Sequence, residues 1–199
     1  ALEATIDEGD EVLLIEPYYT PYPDQIEMVG GVPVSVPTSP ENGFQVTPAD
    51  IEAKISDRTK AIIVNTPCNP TGVCMTLETL TGIADMAKKH DLLVIADDIY
   101  TAYCYHSKFI PIASLPGMRE RTVIINSFSK NYIMTGWRLG NLIAPPKMTQ
   151  LFADINENLV TSAPAPSQRA GIYAIQLRKD IQEKAIGEFR SRVEYAAQR

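Results

Sequence analysis

The sequence predicts an α/β domain: a mostly parallel sheet flanked by helices. Three observations carry that prediction. Short apolar runs recur at 11–15, 61–65, 92–96 and 122–125, continuous rather than alternating, as strands buried on both faces require. Between them lie stretches whose apolar residues fall at steps of three and four, the period of a helix with one buried face. Each strand candidate also ends in a cluster of prolines, amides, tyrosines, acids or serines. Open parallel sheets bind ligands beyond the carboxyl ends of their strands, so those clusters are the places to look for chemistry.

The elements follow in order. Residues 11–15 form the first strand candidate, and a helical patch over 24–29 ends at Gly30-Gly31. Residues 32–36 form a second strand, interrupted by Pro33 and closed by Pro37. Thr47 reads as an N-cap with Pro48 at the first helical position, where the missing N–H costs nothing. Residues 61–65 are a third strand. A helix then starts at 76–80 and ends at His90, whose charge suits a helix C-terminus. The fourth and fifth strands are 92–96 and 122–125, and 138–144 is a sixth, ended by Pro145-Pro146. Met148, Leu151, Phe152, Ile155 and Leu159 then form one apolar stripe. Pro164 and Pro166 interrupt it, and Ser167 is expected to cap a last long helix that runs to the end of the chain.

Bulk properties narrow the function. A chain of 199 residues is enough for one domain with a substantial core. The net charge of −6 argues against a nucleic-acid surface, which needs concentrated Lys and Arg. No apolar run is long enough to span a bilayer, and no signal-peptide pattern opens the chain. Cys68, Cys74 and Cys104 form no C-x-x-C pair, and a reduced, cytoplasmic protein is the simplest reading. His90 and His106 make no cluster with them, so no metal site is expected. The opening Ala1-Leu2-Glu3-Ala4 reads as the middle of a longer chain, so a fragment is expected.

The most informative stretch is 126–140. Lys130 stands just behind the apolar run 122–125, where a lysine serves poorly if its task is solubility alone. Ser127 and Ser129 flank it, and Arg138 follows eight residues later. Hydroxyls and a planar guanidinium fork suit a phosphate. A lysine among such donors points to a phosphorylated cofactor held covalently, and pyridoxal 5'-phosphate (PLP), bound through a lysine, fits. Taken alone, S-x-S-K is an ordinary loop sequence. The run S-F-S-K-x-x-x-M-T-G-W-R-L-G, however, closely resembles the lysine signature of the class I/II aminotransferases, the fold-type-I PLP enzymes.

That resemblance extends upstream. Asn65-Thr66-Pro67-Cys68-Asn69-Pro70-Thr71-Gly72 resembles the family motif N-P-x-N-P-T-G, with Thr66 where proline is usual. It implies that Asn69 donates to the cofactor's 3'-oxygen. Asp97-Asp98-Ile99-Tyr100 resembles D-E-x-Y, with Asp98 in the usual Glu position. It implies that Asp97 partners the pyridine nitrogen and that Tyr100 is a second donor to the 3'-oxygen. A carboxylate there keeps the nitrogen protonated, because an opposite charge favours the cation. Pro17 to Pro23 resembles P-x-Y/W-x-x-Y-P, which places Tyr19 against the ring, where a stacked aromatic adds about 1 kcal/mol beyond its area burial. By the same resemblance Lys130 bonds the cofactor and later moves the substrate proton, while Ser127, Ser129 and Arg138 hold the phosphate.

The resemblance implies an aminotransferase working on an amino acid and a 2-oxo acid, normally as a homodimer. It also implies that residues 1–199 are part of the large PLP-binding domain. The N-terminal arm, the first strand with its phosphate loop and the C-terminal small domain are then absent from this chain. Arg169, Arg178, Arg190, Arg192 and Arg199 do not match the small-domain arginine that binds the substrate carboxylate, and the fragment alone is expected to be inactive. The same cofactor residues also suit a C–S β-lyase, a decarboxylase or the PLP-binding sensor domain of a transcription regulator, because fold does not fix reaction.

Overall fold

A computed structural model describes residues 1–199. Six strands form one sheet: β1 (Glu11–Ile15), β2 (Val32–Val36), β3 (Thr59–Asn65), β4 (Leu93–Asp97), β5 (Thr122–Ser127) and β6 (Gly140–Ile143). Their order is β2-β1-β3-β4-β5-β6. The first five are parallel, as the continuous apolar runs predict, and β6 is antiparallel to β5. The reversal has a simple cause. Residues 128–139 contain only one short helix and a tight turn, too little to cross over the sheet as a parallel connection must.

The two faces of the sheet build two cores. On one, Leu13, Ile15, Ile62, Val64, Val94 and Ala96 pack with Ile51 of α2 (Pro48–Glu52) and with Leu80 and Ile83 of α3 (Leu77–Lys89). On the other, Val12, Leu14, Ala61, Ile63 and Ile95 pack against Tyr22 and Ile26 of α1 (Tyr22–Glu27). Successive residues of one strand thus serve opposite cores, which is why these strands carry no polar alternation.

Local signals set the helix starts. Thr47 Oγ1 accepts from Asp50 N at 3.3 Å while the Asp50 carboxylate accepts from Thr47 N at 2.9 Å, a reciprocal cap. Thr76 caps α3, and His90 ends it with its ring 3.1 Å from the Glu52 carboxylate. Gly82 is required where α3 crosses α2: a Cβ there would lie 2.9 Å from Pro48 Cγ.

The C-terminal part departs from the sequence expectation in one respect. After α4 (Phe128–Asn131) and α5 (Pro146–Val160), the last helical stretch is two helices, α6 (Ala165–Gln176) and α7 (Arg178–Ala197), which meet at Leu177. Ser167 is not a cap. Pro164 takes that position, Pro166 fits the first turn, and Ser167 lies buried inside α6 with its Oγ donating to the Trp137 carbonyl at 2.7 Å.

The register aligns the strand ends that matter. Asn65 on β3 stands opposite Asp97 on β4, and Asp97 opposite Ile125 on β5. The segments that follow β1, β3, β4 and β5 therefore leave the sheet along one rim.

Candidate active site

The rim is built from the centre outward. Asn65 bridges two segments: its Nδ2 donates to the Asp97 carbonyl at 3.0 Å and its Oδ1 accepts from Asn69 N at 2.8 Å. The turn it anchors closes on itself through Gly72 N to the Cys68 carbonyl, 2.8 Å, and Cys68 N to the Val73 carbonyl, 2.9 Å. Asn69 is thereby held at the loop tip. Asn65 was part of the loop motif, but its bridging work was not foreseen from the sequence.

The two adjacent acids differ in their surroundings. Tyr22 Oη donates to Asp97 Oδ2 at 2.5 Å, and Ile99 N donates to Asp97 Oδ1 at 3.4 Å. Burial pushes the Asp97 carboxyl above the usual carboxylate range, and those donors oppose the shift. Asp98 is more deeply buried, 4% exposed, and its carboxyl has no hydrogen-bond donor. Burial, reinforced by the charge of Asp97, pushes it up to about 7. Tyr22 is itself buried, and its phenol is raised by burial first and then by Asp97. Sequence reading missed Tyr22. Its signal was its place as the third tyrosine of the Pro17–Pro23 run, overshadowed by Tyr19.

Lys130 sits in α4, where Ser127 is the N-cap, its Oγ accepting from Ser129 N at 3.1 Å. Tyr103 and Asn131 tie α4 to the segment after β4. Tyr103 Oη donates to the Lys130 carbonyl at 2.9 Å. Buried Asn131 accepts from Ala102 N at 3.1 Å and donates to Thr101 Oγ1 at 3.0 Å. The Lys130 side chain lines a cleft with Asn69, Tyr100, Tyr103, Tyr105 and Phe189 of α7. Its amine has neither a hydrogen-bond nor an ion-pair partner, which leaves it free to react.

Asn69, Tyr100 and Lys130 thus share one cleft, and Asp97 adjoins it. The Tyr100 phenol is raised by burial and by the Asp97 charge, while the Asn69 amide beside it pulls the other way. Tyr19, 43% exposed, stands edge-on to Tyr22 with ring centres 5.5 Å apart. The three residues expected at a phosphate are arranged differently. Ser127 is spent on its cap and opens toward Asn126, Asn141 and Gln182. The Ser129 carbonyl accepts from Thr135 Oγ1 at 3.2 Å. Arg138 is exposed, adopts a left-handed φ of +51° and donates to the Thr135 carbonyl at 3.0 Å. None of these three lines the Lys130 cleft.

The donor set fits the pyridine end of PLP. Asp97 Oδ1, with only a long backbone contact, has acceptor capacity for a ring N–H; Asn69 and Tyr100 present an amide and a phenol side by side; and Lys130 lines the same cleft.

Comparisons with known proteins identify the family. A family model for aminotransferase class I and II matches residues 1–199. The aspartate aminotransferase of Pyrococcus abyssi is 40% identical over 190 residues, covering 95% of this chain and 48% of the relative. Among solved structures, the aromatic aminotransferase from Pyrococcus horikoshii OT3 superposes with a TM-score of 0.89 at 37% identity, covering 96% of this chain and 51% of that one. The N-succinyldiaminopimelate aminotransferase from Mycobacterium tuberculosis gives a TM-score of 0.94 at 31% identity, covering 99% and 52%. The chain therefore spans about half the length of the relatives it matches, and the names of those relatives differ in the substrate they give.

Proposed function

Because the chain belongs to the class I and II aminotransferases, we propose that the protein it comes from moves an amino group from an amino acid to a 2-oxo acid, using PLP. One observation carries this reading: Lys130, whose amine is unpartnered, shares a cleft with Asn69 and Tyr100, and the half-buried Asp97 carboxyl stands beside it. When bound, the cofactor supplies an electron-withdrawing ring that eases removal of a proton from the carbon bearing the amino group.

The residues of the chain do the rest. Lys130 would hold the cofactor through its amine, and that amine, when free, would take and return the proton at the substrate carbon. Asp97 keeps a proton on the ring nitrogen through Oδ1, while Tyr22 fixes the carboxyl by holding Oδ2. Bringing a cation to that half-buried carboxyl favours its charged form and offsets the desolvation that raises it. Asn69 and Tyr100 donate to the 3'-oxygen, and Tyr19 covers the ring. Ser127, Ser129 and Arg138 are assigned to the phosphate on their place in the motif; Arg138 must exchange its Thr135 carbonyl for that role.

In this reading residues 1–199 belong to the large, cofactor-binding domain, consistent with their covering half of each relative. The whole protein is a cytoplasmic homodimer with neither nucleic acid nor membrane as partner; no helix here is long and apolar enough to cross a membrane.

The test uses the whole protein. Adding an amino acid should convert the cofactor's bound absorbance to that of its aminated form, and a 2-oxo acid should restore it. Release of ammonia and pyruvate without an oxo-acid acceptor would overturn the reading in favour of a lyase. Lys130→Ala should remove the covalent absorbance band and lower turnover by more than about a thousandfold. Asp97→Asn should cost far more activity than Asp98→Asn, and equal losses would refute the assignment.

A further inference from the structure

Two thiols outside the proposed chemistry meet where two segments that line the Lys130 cleft continue beyond it. Cys74 closes the loop that carries Asn69, and Cys104 ends the turn Thr101–Tyr103 that follows Tyr100. Both are free and half-buried, and their Sγ atoms lie 3.1 Å apart. A disulfide needs about 2.05 Å, so roughly 1 Å of approach separates the pair from a bond. The third thiol is engaged elsewhere, Cys68 Sγ donating to the Pro17 carbonyl at 3.3 Å. Sequence spacing hid the pair, since thirty positions separate the two cysteines.

We propose that Cys74 and Cys104 form a reversible disulfide that staples the Asn69 loop to the Tyr100–Tyr105 segment. The inference rests on the two thiols and not on the function proposed above. The oxidant is a small-molecule disulfide such as oxidised glutathione. The Cys74 thiolate attacks one glutathione sulfur, forming a mixed disulfide and releasing one glutathione thiol. Cys104, giving up its proton, attacks the Cys74 sulfur and releases the second. Two protein thiols are oxidised, one glutathione disulfide is reduced to two thiols, and no atom is left over. Burial, with Cys74 beside it, pushes the Cys104 thiol up to about 12, which makes Cys104 a poor entering nucleophile.

The staple joins segments already tied to the site. Tyr103, next to Cys104, bonds the Lys130 carbonyl, and Met75, next to Cys74, bonds Thr66 Oγ1 through its N–H at 2.9 Å. Closing it restrains Asn69 and Tyr100 against each other.

To test this, the whole protein is reduced, exposed to oxidised glutathione, alkylated under denaturing conditions and mapped by peptide mass. The expected product is a cross-linked peptide pair containing residues 74 and 104, two hydrogens lighter than the separate peptides, with Cys68 alkylated; dithiothreitol should abolish it. Alkylation of both Cys74 and Cys104, or a cross-link to Cys68, would overturn the proposal. In Cys104→Ser the reaction should stop with glutathione on Cys74, and an unmodified Cys74 there would refute the stated order. Amide exchange over 68–75 and 99–105 should slow by about tenfold or more on oxidation of the natural chain and stay unchanged in Cys74→Ser. No arm reads transamination, so failure here leaves the aminotransferase reading intact.

Discussion

Residues 1–127 and residues 128–199 use apolar side chains in different ways. In the first region every residue of β1 is buried, and β3 and β4 are nearly so. In the second, α5 and α7 contain no buried residue at all. All but four of the exposed large apolar side chains, Tyr19, Met28, Val32 and Leu77, lie beyond Phe128. Both regions show apolar periodicity, so the difference is not one of pattern. A strand in the middle of a sheet finds cover on both faces from its own neighbours. A helix at the margin is covered only if a further layer packs on it. Periodicity states which face seeks cover; it does not state whether the cover is within the same stretch of chain.

The sharpest way to break this comparison is to truncate one side chain from each region. Ile62→Ala, at a residue 1% exposed, should cost about 2–5 kcal/mol of unfolding free energy. Leu159→Ala, at a residue 70% exposed, should stay within about 0.5 kcal/mol. Urea denaturation of this chain measures both, and similar losses would show that α5 is as well covered as the sheet.

The next effect concerns charge placed within the well-packed region. Asp98 holds its proton more tightly in the folded chain, with a pKa of about 7, than in the unfolded one, where a carboxyl titrates near 3.9. Stability should therefore be greatest below about pH 4 as far as this group is concerned, fall as pH rises, and level off above about 7, by roughly 4 kcal/mol in all. Asp98→Asn should remove that slope and raise stability at pH 8. A variant whose pH profile matches the parent would mean that the carboxyl is not disfavoured in its charged form.

A smaller test probes the one tight junction in the second region. A Cβ at Gly171 of α6 would lie 2.5 Å from Leu139 Cδ2 and 3.4 Å from Phe128 Cε1. Gly171→Ala should destabilise by about 1–3 kcal/mol despite the better helix propensity of alanine. A neutral or stabilising result would show that α6 can shift as freely as the exposed helices beside it. The smallest effect is expected at Thr47→Ala, about 1 kcal/mol, from loss of the reciprocal cap with Asp50.

Much of the molecule was legible because its signals are local. Continuous apolar runs located β1, β3, β4 and β5, bounding prolines helped to mark β2 and β6, Thr47-Pro48 and Thr76 located two helix starts, and the residues behind the strands marked the rim. Ser167 misled because the cap preference of serine competes with proline, which can open a helix one turn earlier when the next residues tolerate it. Arg138 lies in the expected motif, but the left-handed turn that points it at Thr135 depends on how 128–139 returns to pair with β5.

By itself the sequence determined the kind of sheet, the order in which an aromatic, an amide, an acid, a phenol and an amine follow its strands, and the faces that must be covered. These are properties of neighbouring residues, read from continuous apolar runs, from the 3.6-residue helical period and from turn chemistry. Only the tertiary structure decided that Tyr22 restrains Asp97, that Asp98 is buried without a donor, that Asn65 joins two loops and that Cys74 meets Cys104. Those pairings cross tens of residues and are set by sheet register and loop path, which no local pattern along the chain encodes.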